Sequence, residues 1–307
     1  MKPLLWPLLV AALLLSACGD DEAEKAAQAE AEAKAKLVTF TPPEESEIPD
    51  DEFGKVVKLG RDIFADTPRY APEFSGNGLS CRNCHIDNGR QHNAAPLWGA
   101  QVAYPQYRAK NGHVNTLSER IQGCFMYSMN GTKPPLGSKE LIALESFAFW
   151  MAKGAPVATK IEGAGFKKYD APEPPDLTRG AVVYEQKCAV CHGPDGQGQK
   201  VDGKYNFPPL WGPDSYNWGA GMHQMKNAAA FIRYNMPLSQ GESIGAQEAY
   251  DVAYFMNSHE RPQDPRFTGD LAETRKKYHD TKDSVYGTEV NGHIMGSKPA
   301  TFENWGK

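Results

Sequence analysis

The chain has no surplus of positive charge. Its 307 residues carry 33 Lys and Arg against 38 Asp and Glu, a formal net charge of −5. A nucleic-acid partner calls for a basic surface, so none is expected. Long apolar runs are missing past the first residues. The run from Pro3 to Leu15 is too short and too close to the end to read as a membrane span. Neither half has a convincing alternating strand pattern, which argues against a sheet-based core. Cysteine is scarce as well: there are six, and five have an evident use, so no pair remains for a disulfide framework.

Met1-Lys2, the apolar run and Ser16-Ala17 read as the parts of a signal peptide over residues 1–17. Leu15-Ser16-Ala17-Cys18 resembles the bacterial lipobox, in which the cysteine is acylated and becomes the mature N-terminus. The reading is a periplasmic protein that meets the membrane only through a lipid on Cys18. Asp20 stands one place later than the usual inner-membrane retention signal, so the choice of membrane stays open. Residues 18–40 form a tether, and 19–36 are almost all Asp, Glu, Ala, Lys and Gln, which cannot bury a core alone.

Cys81-Arg82-Asn83-Cys84-His85 and Cys188-Ala189-Val190-Cys191-His192 both read C-x-x-C-H. This spacing is the attachment signature of c-type haem, with two thiols for the vinyl groups and a histidine for the iron. Zinc would need its ligands pooled into fours, whereas each motif here sits in its own segment. The expectation is two haem c groups, held through Cys81, Cys84 and His85 and through Cys188, Cys191 and His192.

The segments repeat in outline. Gly60-Arg61-Asp62-Ile63-Phe64 and Gly180-Ala181-Val182-Val183-Tyr184 precede the motifs; Tyr127-Ser128-Met129 parallels Tyr234-Asn235-Met236; Phe149-Trp150-Met151 parallels Tyr254-Phe255-Met256. Leu141, Leu144, Phe147 and Met151, and then Ala249, Val252, Ala253 and Met256, recur at helical spacing. The fold expected is all-α: two tandem cytochrome c-like helical domains over 41–160 and 176–262, joined by a Pro-rich linker at 161–175. The first carries an insert between Phe64 and Cys81. The polar tail, 263–307, is expected to wrap the surface and is assigned no chemistry.

Met236, followed by Pro237 in a loop before the last helix, is the expected distal ligand of the second iron, with Met222, Met225 and His223 in reserve. For the first iron the repeat points to Met129, while Cys124 in the same loop is a stronger donor when deprotonated. An inert buried thiol is the third reading of Cys124. Arg108, Lys110, Arg120 and Lys133 flank this region. The two lysines read as solvated surface cations; the two arginines suit oxyanion oxygens.

Glu119-Arg120-Ile121-Gln122-Gly123-Cys124 with Ser128-Met129-Asn130-Gly131 resembles the dihaem thiosulfate dehydrogenases that form tetrathionate, over the stretch from about Ile48 to about His259. The resemblance implies that Cys124 is the distal ligand of the first haem and that Arg120, Ser128 and Arg108 contact substrate. It also implies that two thiosulfates are coupled to tetrathionate, with electrons passed to a small external electron-carrier cytochrome. Some relatives carry a Lys just before the second Met; this chain has Asn235, a poor iron ligand. Two other readings compete: the reverse activity of a tetrathionate reductase, and a dihaem electron carrier with His85/Met129 and His192/Met236 ligation and no substrate.

Overall fold

The computed structural model describes residues 37–157 and 159–306; the signal peptide, Cys18 and the tether as far as 36 lie outside the described residues. Among the described residues no helix is long and apolar enough to cross a membrane. Two helical units dominate, each built on a pair of crossing helices. In the first, Glu52–Ala65 packs against Lys139–Met151; in the second, Leu177–Lys187 packs against Ala246–Asn257.

The sequence accounts for these pairs. Asp51 and Asp176 cap the first helix of each unit, accepting hydrogen bonds from the Gly54 and Arg179 amides. Leu141, Leu144, Phe147 and Met151 are all buried, as are Ala249, Val252, Ala253 and Met256, so the helical spacing marks the two inner faces correctly. The repeated glycines sit at the crossings. A β-carbon on Gly60 would lie 2.0 Å from the Ala143 carbonyl oxygen, and one on Gly180 would lie 2.1 Å from that of Asp251. Only glycine lets the two backbones approach so closely. This explains why glycine heads both repeats while the neighbouring residues drift.

Three differences from the sequence reading matter. Short antiparallel hairpins interrupt the helices: Gln106–Arg108 with His113–Asn115, Gln199–Val201 with Lys204–Phe207, and Glu289–Val290 with His293–Ile294. Each strand is only two to four residues long, too short to build an alternating pattern.

The insert after Phe64 has a defined task. The Gly76 amide donates to the Met129 carbonyl at 2.9 Å, and the Thr132 amide donates to the Phe74 carbonyl at 3.2 Å. The Asn77 amide group donates to the carbonyls of Ser128, at 3.0 Å, and Ser215, at 3.2 Å. The insert thus fastens the Cys124–Met129 region to the second unit.

The tail does more than wrap the surface. Val285, Tyr286, Val290 and Met295 bury themselves around Trp218 in a third small core. Beneath it runs a chain of buried polar groups. Arg266 donates to both oxygens of Asp264, at 3.0 and 2.7 Å; His279 Nε2 lies 2.8 Å from Asp264 Oδ2; and His279 Nδ1 lies 3.2 Å from His223 Nε2. Asp264 and Arg266 are near neighbours, but His279 and His223 come from distant parts of the chain, so no local pattern reveals the set. Burial raises the Asp264 pKa, but the bonds from His279 and Arg266 outweigh it and hold the carboxyl well below the usual range. A depressed carboxylate contributes stability that is present above its unfolded value, about pH 4, and is lost as pH falls through the folded value. Asp264→Asn is expected to destabilise the protein by about 3–5 kcal/mol at pH 7, the cost of breaking a buried pair. The gap from the parent should narrow as the pH falls below about 4. Denaturant titrations at pH 7 and pH 3 check both points, and an equal gap at the two pH values would refute the ionic explanation.

Candidate active site

The site grows out of one helix. Thr116 caps it by accepting from the Glu119 amide, while the Glu119 carboxylate accepts from the Thr116 amide, so Glu119 of the motif is a capping residue. The α-helix Leu117–Gly123 then widens into a π-helical turn over Cys124–Ser128, closed by the Met129 amide donating to the Cys124 carbonyl at 3.0 Å. Such turns insert a residue and re-aim side chains. Here Arg120, Cys124 and Ser128 all reach the wall of one cavity, of about 230 Å³.

That cavity also holds Cys81, Cys84 and His85. The Arg120 guanidinium donates through Nη1 to Cys124 Sγ at 2.8 Å. Electrostatic coupling to Cys124 is the main reason the Arg120 pKa is raised, against the opposing effect of burial. Arg108 comes from the hairpin Gln106–Arg108 and His113–Asn115, beside the cavity wall rather than in it. Burial and then the neighbouring Arg120 lower its pKa. Two like charges held together in a partly apolar setting favour an anion between them.

Met129 lines the same cavity and is buried, so thioether and thiol stand in one wall. Lys133 is exposed, as the sequence suggests. Lys110 is not a solvated cation: its ammonium lies 3.8 Å from the Tyr127 ring centre and donates to the Gly219 carbonyl. Burial first, then Arg266 and Arg120, push its pKa down to about 7. Tyr104, which the sequence reading missed, lines the cavity, and its phenol acts on the charge of both Arg108 and Arg120. No motif marks it.

A second cavity, of about 410 Å³, holds Cys188, Cys191, His192 and Met236. Of the reserve ligands, His223 is excluded because both its nitrogens are engaged, by the Ala220 carbonyl and by His279. Met225 packs against the tail core, and Met222 lies in the wall shared by the two cavities. The Asn235 amide is buried and fully used: it donates to the Asn93 and Phe231 carbonyls at 3.2 and 3.0 Å and accepts from Gln91 at 2.8 Å.

Both cavities suit a covalently attached haem. Their exposed lining is largely apolar. His85 Nδ1 donates to the Ala95 carbonyl at 2.6 Å, and His192 Nδ1 donates to the Pro208 carbonyl at 2.8 Å, which leaves each Nε2 for a metal. Burial pulls His85 down to about 4 and lowers His192 too, so both imidazoles are neutral, the form that ligates. None of the motif cysteines is in a disulfide, and burial pushes Cys81 up to about 12 and Cys84 and Cys188 up to about 11. They are thiols available for thioether bonds.

Residues 68–157 match a family model described as SoxA/TsdA, cytochrome c domain, and residues 175–256 match one described as cytochrome C oxidase, cbb3-type, subunit III. The chain is 59% identical over 258 residues to a thiosulfate dehydrogenase of Thiomonas intermedia, covering 84% of this chain and 82% of the relative. It is 50% identical over 261 residues to a thiosulfate dehydrogenase of Stutzerimonas stutzeri, covering 84% and 85%. The solved thiosulfate dehydrogenase TsdBA from Marichromatium purpuratum superposes with a TM-score of 0.82 at 47% identity; the match covers 85% of this chain and 58% of that longer one. The two helical units are therefore tandem cytochrome c domains, as the sequence suggests.

Proposed function

The chain belongs to the thiosulfate dehydrogenase family, and from that premise we propose that it couples two thiosulfate dianions into tetrathionate in the first cavity. The observation that carries this reading is the Arg120–Cys124 pair, a guanidinium 2.8 Å from a sulfur in the wall of the cavity that also holds Cys81, Cys84 and His85. A pure electron carrier has no use for a cation-paired thiol there.

Arg120 and Arg108 hold the anionic oxygens and offset the repulsion between two dianions, and Ser128 adds a hydroxyl donor. The Cys124 thiolate forms a sulfur–sulfur bond to the terminal sulfur of one thiosulfate, and two electrons leave. The terminal sulfur of a second thiosulfate attacks the adduct sulfur bonded to Cys124 Sγ, the bond between that sulfur and Sγ breaks, and tetrathionate departs as the thiolate returns. Haem held by Cys81, Cys84 and His85 in the first cavity, and by Cys188, Cys191, His192 and Met236 in the second, supplies the one-electron acceptors. A small periplasmic electron-carrier protein takes the electrons onward. Cys124 doubles as a ligand of the first iron in this reading, and Cys18 carries the lipid that tethers the protein in the periplasm.

The test is stoichiometric. The purified dihaem protein, given thiosulfate and a one-electron dye, should form one tetrathionate for every two thiosulfates consumed and two electrons passed. Dye reduction that yields sulfite or sulfate instead would overturn the coupling. Measuring the reverse rate with tetrathionate and reduced dye at the same pH sets the favoured direction.

A further inference from the structure

The helix Met225–Asn235 ends one residue before Met236, the distal ligand proposed for the second iron. Its last side chain is 1% exposed, and a carboxamide so buried needs partners. One lies a turn back: Asn235 Nδ2 donates to the Phe231 carbonyl at 3.0 Å. The other two belong to the first unit. The same nitrogen donates to the Asn93 carbonyl at 3.2 Å, and Gln91 Nε2 donates to Asn235 Oδ1 at 2.8 Å. Phe231, Ile232 and Met236, on either side of Asn235 in the chain, line the second cavity.

The loop that supplies these partners has another task. Two residues beyond Asn93, the Ala95 carbonyl accepts from His85 Nδ1 at 2.6 Å and so orients the proximal histidine of the first iron. Asn93 and Ala95 both sit in the left-handed region, at φ 62° and 49°, which costs energy at non-glycine residues unless the surroundings enforce it. Here they do. The Asn93 amide donates to the Gly163 carbonyl at 2.9 Å, His92 Nε2 lies 2.8 Å from the Phe40 carbonyl, and Trp98 Nε1 donates to the Arg90 carbonyl at 2.9 Å. The loop is a fixed point of the first unit, and Asn235 is fastened to it.

A methionine side chain has three rotatable bonds and a neutral sulfur, so its hold on an iron depends on how firmly its backbone is placed. We propose that Asn235 is a positioning residue: through Gln91 and Asn93 it fixes the backbone of Met236 against the first unit, so one loop serves the proximal ligand of one iron and the distal ligand of the other. This role requires haem attachment at Cys188 and Cys191 and ligation by Met236, as proposed for the second cavity, and is independent of the substrate.

The parent, Gln91→Leu, Asn235→Leu and the double variant are compared as ferric dihaem proteins with no thiosulfate present. The part of the methionine-to-iron charge-transfer absorption that Met236→Leu removes reports the second site. If Met236→Leu removes none of it, no methionine is on that iron, and the ligation and the clamp fall together. With that absorption present, imidazole is titrated in, and its loss gives the apparent affinity of imidazole for the second iron. Gln91→Leu should raise that affinity about fivefold, the effect of one lost hydrogen bond, and Asn235→Leu about 30-fold. The double variant should match Asn235→Leu, because the Gln91 bond is then already gone. Should Asn235→Leu not fold, Gln91→Leu decides alone, since it lies in a loop of the other unit. A contact that serves only stability would lower the melting temperature and leave imidazole affinity at the parent value. That result in Gln91→Leu, with both haems attached, overturns the clamp and leaves Met236 as ligand.

Discussion

Cys124→Ser is expected to lower thiosulfate-dependent turnover on the order of 10³-fold or more, as loss of a covalent nucleophile does, with both haems still attached. Serine nearly keeps the volume and can still accept from Arg120, so the pocket should survive. What it lacks is a sulfur that can take up a second sulfur and release it again. The substitution separates three roles that one residue could play. If Cys124 is inert packing beside a Met129 thioether on the iron, turnover stays near normal and the ferric spectrum is unchanged. If it is only a ligand, the spectrum changes but a single turnover still yields tetrathionate. If it is the nucleophile, rapid mixing with thiosulfate gives no tetrathionate at all, and mass spectrometry of the parent under limiting thiosulfate finds an added thiosulfate on the Cys124 peptide that the variant lacks.

The parts of this site that the sequence discloses are those fixed by short spacing. C-x-x-C-H is covalent chemistry written in five consecutive residues, and Arg120, Cys124 and Ser128 stand at helical intervals along one segment. The helix pairs were legible for the same reason, because Leu141, Leu144, Phe147 and Met151 mark their own buried face. The rest depends on contacts between residues far apart in the chain. Tyr104 reaches the cavity at the end of the helix Leu97–Ala103, and Arg108 comes beside it on a three-residue strand paired with His113–Asn115, too short a pairing to leave a pattern. Asn77 and Asn217 brace the π-helical turn from behind: Asn217 donates to the Met126 carbonyl at 2.9 Å across the boundary between the two units. Lys110 looks like any surface lysine until Tyr127, Gly219 and the tail are folded around it. The Asp264–His279–His223 chain is invisible for the same reason, and with it the extent to which the tail is built into the protein.

The second large effect is expected at Arg120. Its guanidinium donates to the Cys124 sulfur at 2.8 Å, and it shares the cavity wall with Ser128. Arg120→Gln removes the charge while keeping a hydrogen-bonding head of similar reach. It should lower kcat/KM for thiosulfate by about 10²–10³-fold, the usual cost of deleting a preorganised donor to a developing anion. The loss should divide between the two constants. KM should rise because a dianion loses its fixed counter-charge, and kcat should fall because the thiolate is less stabilised before attack. Arg120→Lys keeps the charge but not the planar fork, so it should recover KM more than kcat. Arg108→Gln, one step back from the wall, should mainly raise KM. An arginine that only shapes the loop would behave differently. Gln and Lys would then be equally poor, and both would lower haem content or melting temperature along with the rate.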